Sequence, residues 1–362
     1  MTQGGSAVEA SFPDEVPGRQ GLRVWVLTEG RAGDDSQLLH LADALGGATT
    51  VLQLRENTNW HLVVDRFWDL LSLGRRPLRL PLDAPADWPD LVLAIAGRSV
   101  STARRIVKAS GGVTKAVHLG RPVANLNHFD LVITTPQYGL PEHPGVLHTP
   151  LPFVPEVARP SLVPEGLPFA ELPRPWTAVL VGGDSSSYRL GARSVESLQQ
   201  AITDATRSGG SALVTTSPRT PDRAIRALRG ALPERAYFYA FQRNDAGNPY
   251  PSILSLADRF VVTGESASLI AEAASTGRPV EILPVEERGV AKLLVRGHRW
   301  LKGSRFGPVL NAMCARGLWM PPRDLAAVHR AAAAEGGARE LDRIVWRVRE
   351  VVAGPKTARR AN

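Results

Sequence analysis

The chain has 362 residues, 43% apolar and 22% charged, values of a globular protein long enough for two hydrophobic cores of about 150–170 residues each. Lys and Arg (43) outnumber Asp and Glu (35), yet no block of like charge appears, which argues against a nucleic-acid-binding arm; a diffuse positive surface suits a phosphate-bearing ligand or an anionic membrane face. A single cysteine, Cys314, excludes internal disulfides and Cys-based metal sites and fits a reducing, cytoplasmic setting, and no apolar run approaches the ~20 residues that cross a bilayer.

Residues 1–20 are rich in Gly and Pro and carry Glu9, Asp14 and Glu15. They lack the apolar core of a secretion signal and the Arg-rich amphipathic helix of an import peptide, and are expected to form a disordered tail. From residue 21 a unit recurs: apolar strand, small-residue turn, helix. RVWVLT (23–28) is a strand, 29–35 a turn and 36–45 a helix. LVLAIA (91–96) leads through Gly97-Arg98-Ser99 to a helix around 103–108, and 115–119 and 131–135 are short strands. Runs this apolar, alternating with helices, indicate parallel strands buried on both faces. One stretch departs from the unit. Residues 60–82 interleave Trp60, Phe67 and Trp68 with Arg66, Arg75, Arg76 and Arg79, and read either as a cover on the first sheet or as a membrane-surface contact.

The proline-dense stretch 151–175 reads as a domain boundary, placing a first domain at 21–160, a linker at 161–175 and a second domain at 176–335. In the second, strands at 178–181, 212–216, 236–241 and 260–263 alternate with turns, a helix is expected at 251–257, and a last strand at 280–283. A C-terminal helix at 336–353, with helical spacing over 341–352, is expected to pack across both domains, followed by a disordered tail at 354–362. The fold class is α/β, with two tandem Rossmann-like open parallel-sheet domains.

Ligands of open α/β sheets collect at the carboxyl ends of strands, and five strand ends carry unusual turns. The fullest is Gly264-Glu265-Ser266-Ala267-Ser268, which opens a helix bearing Glu272 and is followed by Gly277-Arg278-Pro279. Unpaired amides at that helix start, with its dipole, favour an anion such as a diphosphate, and Glu272 lies where a carboxylate accepts bonds from a ribose. The rival reading of Glu272 is a solvated helix carboxylate. Glu265 repels a diphosphate unless it points away or acts on the sugar. At the other strand ends, Gly30, Arg31 and Gly33 offer close backbone approach and a phosphate partner, or an ordinary turn capped by Asp34, Asp35 or Ser36. Gly97 and Arg98 form a weaker signal. Gly182 and Gly183, with Ser185, indicate tight packing or phosphate approach. Ser217 and Arg219 supply a hydroxyl and a planar fork for phosphate, or a proline-stiffened surface turn. Asn248 and Tyr250 read a base edge or turn the chain. No residue stands out as a general base; Asp34, Asp35 and His118 are the candidates, beside Glu29.

Several chemistries lack their motifs. There is no Gly-x-Gly-x-x-Gly and no P-loop, and Ser268 occupies the last glycine position of a nucleophile elbow. The histidines lack zinc spacing, and no Asp-x-Asp closes a strand, which disfavours a metal-bridged diphosphate. No cofactor is expected.

The blocks VWVLTEGRAGDDSQ, AGR, VGGDSSSY, LVTTSPRTP, GNPYPSILSLAD and VVTGESASLIAEAASTGRPV, in this order over residues 23–285, resemble the mitochondrial-fission "elongated mitochondria" family, whose bacterial members are regarded as glycosyltransferases. More distantly the last block is similar to the donor region of B-type glycosyltransferases. That similarity implies two domains facing a central cleft, with a nucleoside-diphosphate sugar held mainly by the second. Glu272 would hold the ribose, the 264–268 turn would face the diphosphate, and the 30–33 turn would close the cleft. The expected activity is metal-free sugar transfer to an unknown, lipid-linked or cell-envelope acceptor, in the cytoplasm or at the inner membrane face. A sugar-nucleotide epimerase and a non-catalytic membrane-associated scaffold are the rivals.

Overall fold

The computed structural model describes residues 21–30, 32–54, 88–154, 157, 160, 166–207, 209–332 and 338–354. The expectations for residues 1–20, Arg31, 60–82 and 355–362 lie outside the described residues.

The first body contains β1 (Arg23–Thr28), α1 (Ala32–Leu45), β2 (Ala48–Gln53), β3 (Leu91–Ile95), α2 (Arg98–Ala109), β4 (Lys115–Leu119), β5 (Leu131–Thr134) and β6 (Val146–His148). Its six strands are all parallel, in the order β2-β1-β3-β4-β5-β6. The second contains β7 (Trp176–Val181), β8 (Tyr188–Arg189), α3 (Ala192–Arg207), β9 (Ser211–Thr216), α4 (Asp222–Gly230), β10 (Ala236–Tyr239), α5 (Tyr250–Leu256), β11 (Arg259–Thr263), α6 (Ala267–Ser275), β12 (Val280–Leu283) and β13 (Glu286–Glu287). Five of its strands form a second parallel sheet, β10-β9-β7-β11-β12, and β8 pairs antiparallel with β13. Helices α7 (Gly289–Lys302), α8 (Gly307–Ala315), α9 (Ala326–Ala332) and α10 (Ala338–Ala353) follow.

The two-residue period of a strand explains why these runs are continuously apolar. Val24 and Val26 pack with Leu38 and Leu41 of α1 on one face of the first sheet. Trp25 and Leu27 pack with Ala103 and Ile106 of α2 on the other. In the second sheet Ala178, Val179, Leu180 and Val181 are all buried in one core with Leu198 and Ile202 of α3.

The structure departs from the sequence expectations at several places. Helix α1 begins at Ala32, not 36, because Gly30 (φ 76°) turns the chain within one residue. Helix α2 begins at Arg98 rather than near 103, and β10 ends at Tyr239. Strands β2 and β6 were not expected: β2, ATTVLQ, is an edge strand with most of its residues exposed, so it shows no apolar run. Described residues of the proline-dense stretch pack into the cores. Phe153 joins the first core, whereas Leu151 and Phe169 join the second, where Phe169 meets Trp176 edge-on. Helix α10 lies on α1, β4 and β5, and its Ile344 and Val348 are fully buried in the first core. It completes the first body rather than lying across both. Contacts between the bodies include α9, which touches α6 and the 3-10 turn Pro136–Tyr138, and Arg323, whose Nε donates to Gln137 Oε1.

A candidate nucleotide site between two helix starts

Strand order reverses between β1 and β3 in the first sheet and between β7 and β11 in the second, and such crevices are the usual ligand positions. In this protein a buried glutamate fills each one. Glu29, at the end of β1, accepts the Ser99 N–H at 2.9 Å and pairs with Arg98 Nε at 3.2 Å, while Arg98 Nη2 donates to the Glu29 carbonyl at 3.3 Å. Glu265, after β11, is 0% exposed and its Oε1 accepts the Gly183 N–H at 2.6 Å. Burial pushes the Glu265 carboxyl above its ordinary range, opposed by hydrogen bonds from backbone amides and Thr263 and by the charge of Arg219. Its Oε2 is buried with no partner among the described residues.

This arrangement assigns the paired glycines to packing rather than to phosphate. A Cβ on Gly183 would stand 2.0 Å from the Arg219 carbonyl oxygen, and one on Gly182 would stand 1.7 Å from Glu265 Oε1. Their amides are also consumed: Gly182 N–H donates to Thr263 Oγ1 at 2.8 Å and Gly183 N–H to Glu265. Gly264 N–H donates to the Leu283 carbonyl, and the Gly264 carbonyl accepts from His329 Nε2 at 2.6 Å. Nothing in the sequence signalled His329, which reaches this turn from α9.

Left in the second body is the first turn of α6, where Ser266 and Ala267 are buried and Ser268 and Leu269 half-buried. Ser266 sits at its N-cap without a side-chain cap, and first-turn amides have no intrahelical acceptor. Opposite lies the start of α1: a Cβ on Gly33 would stand 4.0 Å from Ser268 Oγ. Two helix N-termini, both positive ends, therefore meet between the sheets. In the first turn of α1 Asp35 Oδ1 accepts the Glu29 N–H at 3.1 Å, and the half-buried Asp34 stands beside it.

Further along α6 the half-buried Glu272 accepts a hydrogen bond from the Tyr250 hydroxyl at the start of α5. Burial pushes the Glu272 carboxyl up, against the Tyr250 bond, and burial together with Glu272 pushes the Tyr250 phenol well up. Asn248 Oδ1 accepts the Tyr250 N–H at 3.0 Å, so Asn248 shapes the entry to α5. Arg278 explains the Gly-Arg-Pro motif: its guanidinium donates to the carbonyls of Leu254, Ser255 and Ala257, capping the end of α5. Gly277 (φ 68°) turns the chain just past α6, so one loop ties together the helices that carry Tyr250 and Glu272.

Other candidates stand apart. His118 is 0% exposed within β4, with Nε2 donating to the Ala96 carbonyl at 3.0 Å and Nδ1 unpartnered among the described residues; burial lowers its pKa to about 4. No acceptor hydroxyl reaches it there. Arg98 is occupied by Glu29, and Gly97 precedes α2 with open space where a Cβ would stand. Ser185 Oγ accepts the Tyr188 N–H at 3.1 Å, and Ser217 Oγ contacts Thr220 Oγ1 and the Arg219 N–H, so both hydroxyls serve their own turns. The Arg219 side chain is exposed, and its charge is felt at Glu265.

Two Rossmann-like parallel sheets, joined at their strand ends by opposed helix starts, define a tandem α/β protein. The chain belongs to the Mitochondrial fission ELM1 family, whose model matches residues 32–332. A curated relative, Mitochondrial fission protein ELM1 of Arabidopsis thaliana, is 29% identical over 231 residues, covering 54% of this chain and 52% of the relative. This chain thus spans about half the length of the curated relative it matches. Among solved structures it is similar to the Spinosyn Forosaminyltransferase SpnP (16% identity, TM-score 0.48, covering 92% of this chain and 100% of that one). It is also similar to a glycosyltransferase from Rickettsia africae ESF-5 (9% identity, TM-score 0.45, 92% and 99% covered).

Proposed function

We propose that the protein is a glycosyltransferase that takes a sugar from a nucleoside diphosphate donor without a metal. The observation that carries this reading is the meeting of the α1 and α6 N-termini, with the half-buried Glu272–Tyr250 pair further along α6. A diphosphate between two helix starts faces amide donors from both sides, and their dipoles stabilise the charge that develops as it leaves. Glu272, held by Tyr250, accepts the ribose hydroxyls. Glu265 points away from the diphosphate into its own crevice, and its burial favours the neutral form, so repulsion is reduced. Asp34, on the first turn of α1, is the base proposed to take the acceptor proton. The acceptor is a hydroxyl of a glycan or lipid-linked intermediate of the cell envelope.

Titration calorimetry with a panel of uridine, thymidine and guanosine diphosphate sugars tests this. At least one is expected to bind, and Glu272→Ala to weaken it by ~1–3 kcal/mol, about 5–150-fold. Asp34→Asn is expected to leave donor affinity in place and abolish transfer. Binding by no member of the panel, or unchanged affinity in a folded Glu272→Ala protein, overturns the reading.

A further inference from the structure

Helices α7 and α8 carry an apolar surface with no cover among the described residues. On α7, Val290, Leu293 and Leu294 follow the i, i+3, i+4 spacing of one helix face and are 74%, 72% and 56% exposed. Trp300, two turns on, is 71% exposed; Phe306 precedes α8 at 50%, and Val309 on α8 is 59% exposed. Side chains of this size scattered singly need no explanation, but here they occupy two helices packed on each other. The charge around them is one-sided. Residues 288–323 contain eight Lys or Arg and no Asp or Glu. Arg299 pairs with Asp324 and Arg288 Nε donates to the Ser185 carbonyl, whereas Lys292, Arg296, Lys302 and Arg305 form no ion pair with any described residue.

We infer that the α7–α8 pair is a docking surface for an anionic lipid bilayer, lying on it with its apolar stripe among the acyl chains and its basic row against the headgroups. Exposed aliphatic side chains flanked by Trp and Phe give such a helix its apolar burial, and unpaired Lys and Arg add attraction to acidic headgroups. No described helix is long and apolar enough to cross a membrane, so this contact is peripheral. Residues other than the 60–82 segment that the sequence suggested for this role carry it, and the inference stands independently of the transferase reading. His298 of α7 stands 3.8 Å from where a Cβ on Gly139 would lie, so α7 also touches the first body.

Vesicle flotation of the full chain tests it, with phosphatidylcholine vesicles alone and with about one third phosphatidylglycerol. The protein is expected to float with the acidic vesicles and not the neutral ones, and added salt to release it by screening the headgroup attraction. Leu293→Ser with Leu294→Ser, at exposed positions that leave the fold intact by circular dichroism, is expected to cut binding at least tenfold; Lys292→Glu with Arg296→Glu is expected to do the same. Equal flotation with both vesicle types, flotation with neither, or undiminished binding of the folded Leu293/Leu294 variant overturns the inference. So does a dimer in sedimentation that the Leu293/Leu294 variant dissolves, since a second copy would then be the occupant.

Discussion

Gly183 and Gly182 look alike in the sequence and differ in what constrains them. A side chain on Gly183 meets the backbone of Arg219, which cannot swing aside, whereas one on Gly182 meets the end of Glu265 first. Gly183→Ala should therefore destabilise by about 1–3 kcal/mol in urea unfolding. Gly182→Ala should cost less in a Glu265→Ala background than in the natural protein, a non-additivity that a double-mutant cycle reads directly. The sequence left packing and phosphate approach equally open at these glycines, because only the neighbour that would meet an added Cβ decides between them. His118 gives a prediction with pH. Its pKa is about 4 in the fold against 6.5 outside it, so the native state resists a proton that the unfolded chain takes up. That contribution is complete above pH 6.5 and is lost as pH falls from 6.5 to 4, amounting to about 3 kcal/mol. The stability difference between the natural protein and His118→Gln, followed by urea midpoint, should shrink by about that much over the same window.

At the scale of elements, α5 and α6 are tied by Arg278, whose guanidinium holds the last carbonyls of α5 while its own loop closes α6. Arg278→Ala should loosen the Tyr250–Glu272 contact without touching any ligand. Its expected signature is weaker nucleotide binding together with faster amide exchange at the end of α5, partly restored by Arg278→Lys. Much of this local structure was legible: apolar runs marked the buried strands, and Gly264 to Ser268 marked a helix start. The glutamate plugs were not. Glu29 and Glu265 each form their key bond across a strand crevice, to Ser99 and Gly183, and a sequence shows residues near one another in the chain rather than near one another in a sheet. Edge strands such as β2 escaped for a different reason, since a strand with most of its residues in water loses the continuous apolar signature.

Across the whole molecule the chain passes from the first body to the second near residues 151–153 and returns at its end, where α10 fills the first core. Arg349 Nη2 donates to the Leu45 carbonyl and Arg343 Nη2 to the His148 carbonyl, fixing that return on α1 and β6. Ile344→Ala should accordingly cost about 2–4 kcal/mol, and the loss should register in amide exchange of β4 and β5 rather than of the second sheet. The helical spacing of α10 was plain in the sequence, but its partner was not, because an amphipathic stripe declares that it is covered without saying by what. The same return positions α1, and α1 supplies one of the two helix starts on which the proposed donor site depends. A crystal structure with uridine or thymidine diphosphate bound tests that site most directly. The diphosphate is expected within hydrogen-bond distance of the first-turn amides of α6, facing Gly33, with the ribose hydroxyls on Glu272. A nucleotide bound elsewhere, or one that leaves Glu272 engaged by Tyr250 alone, would contradict it.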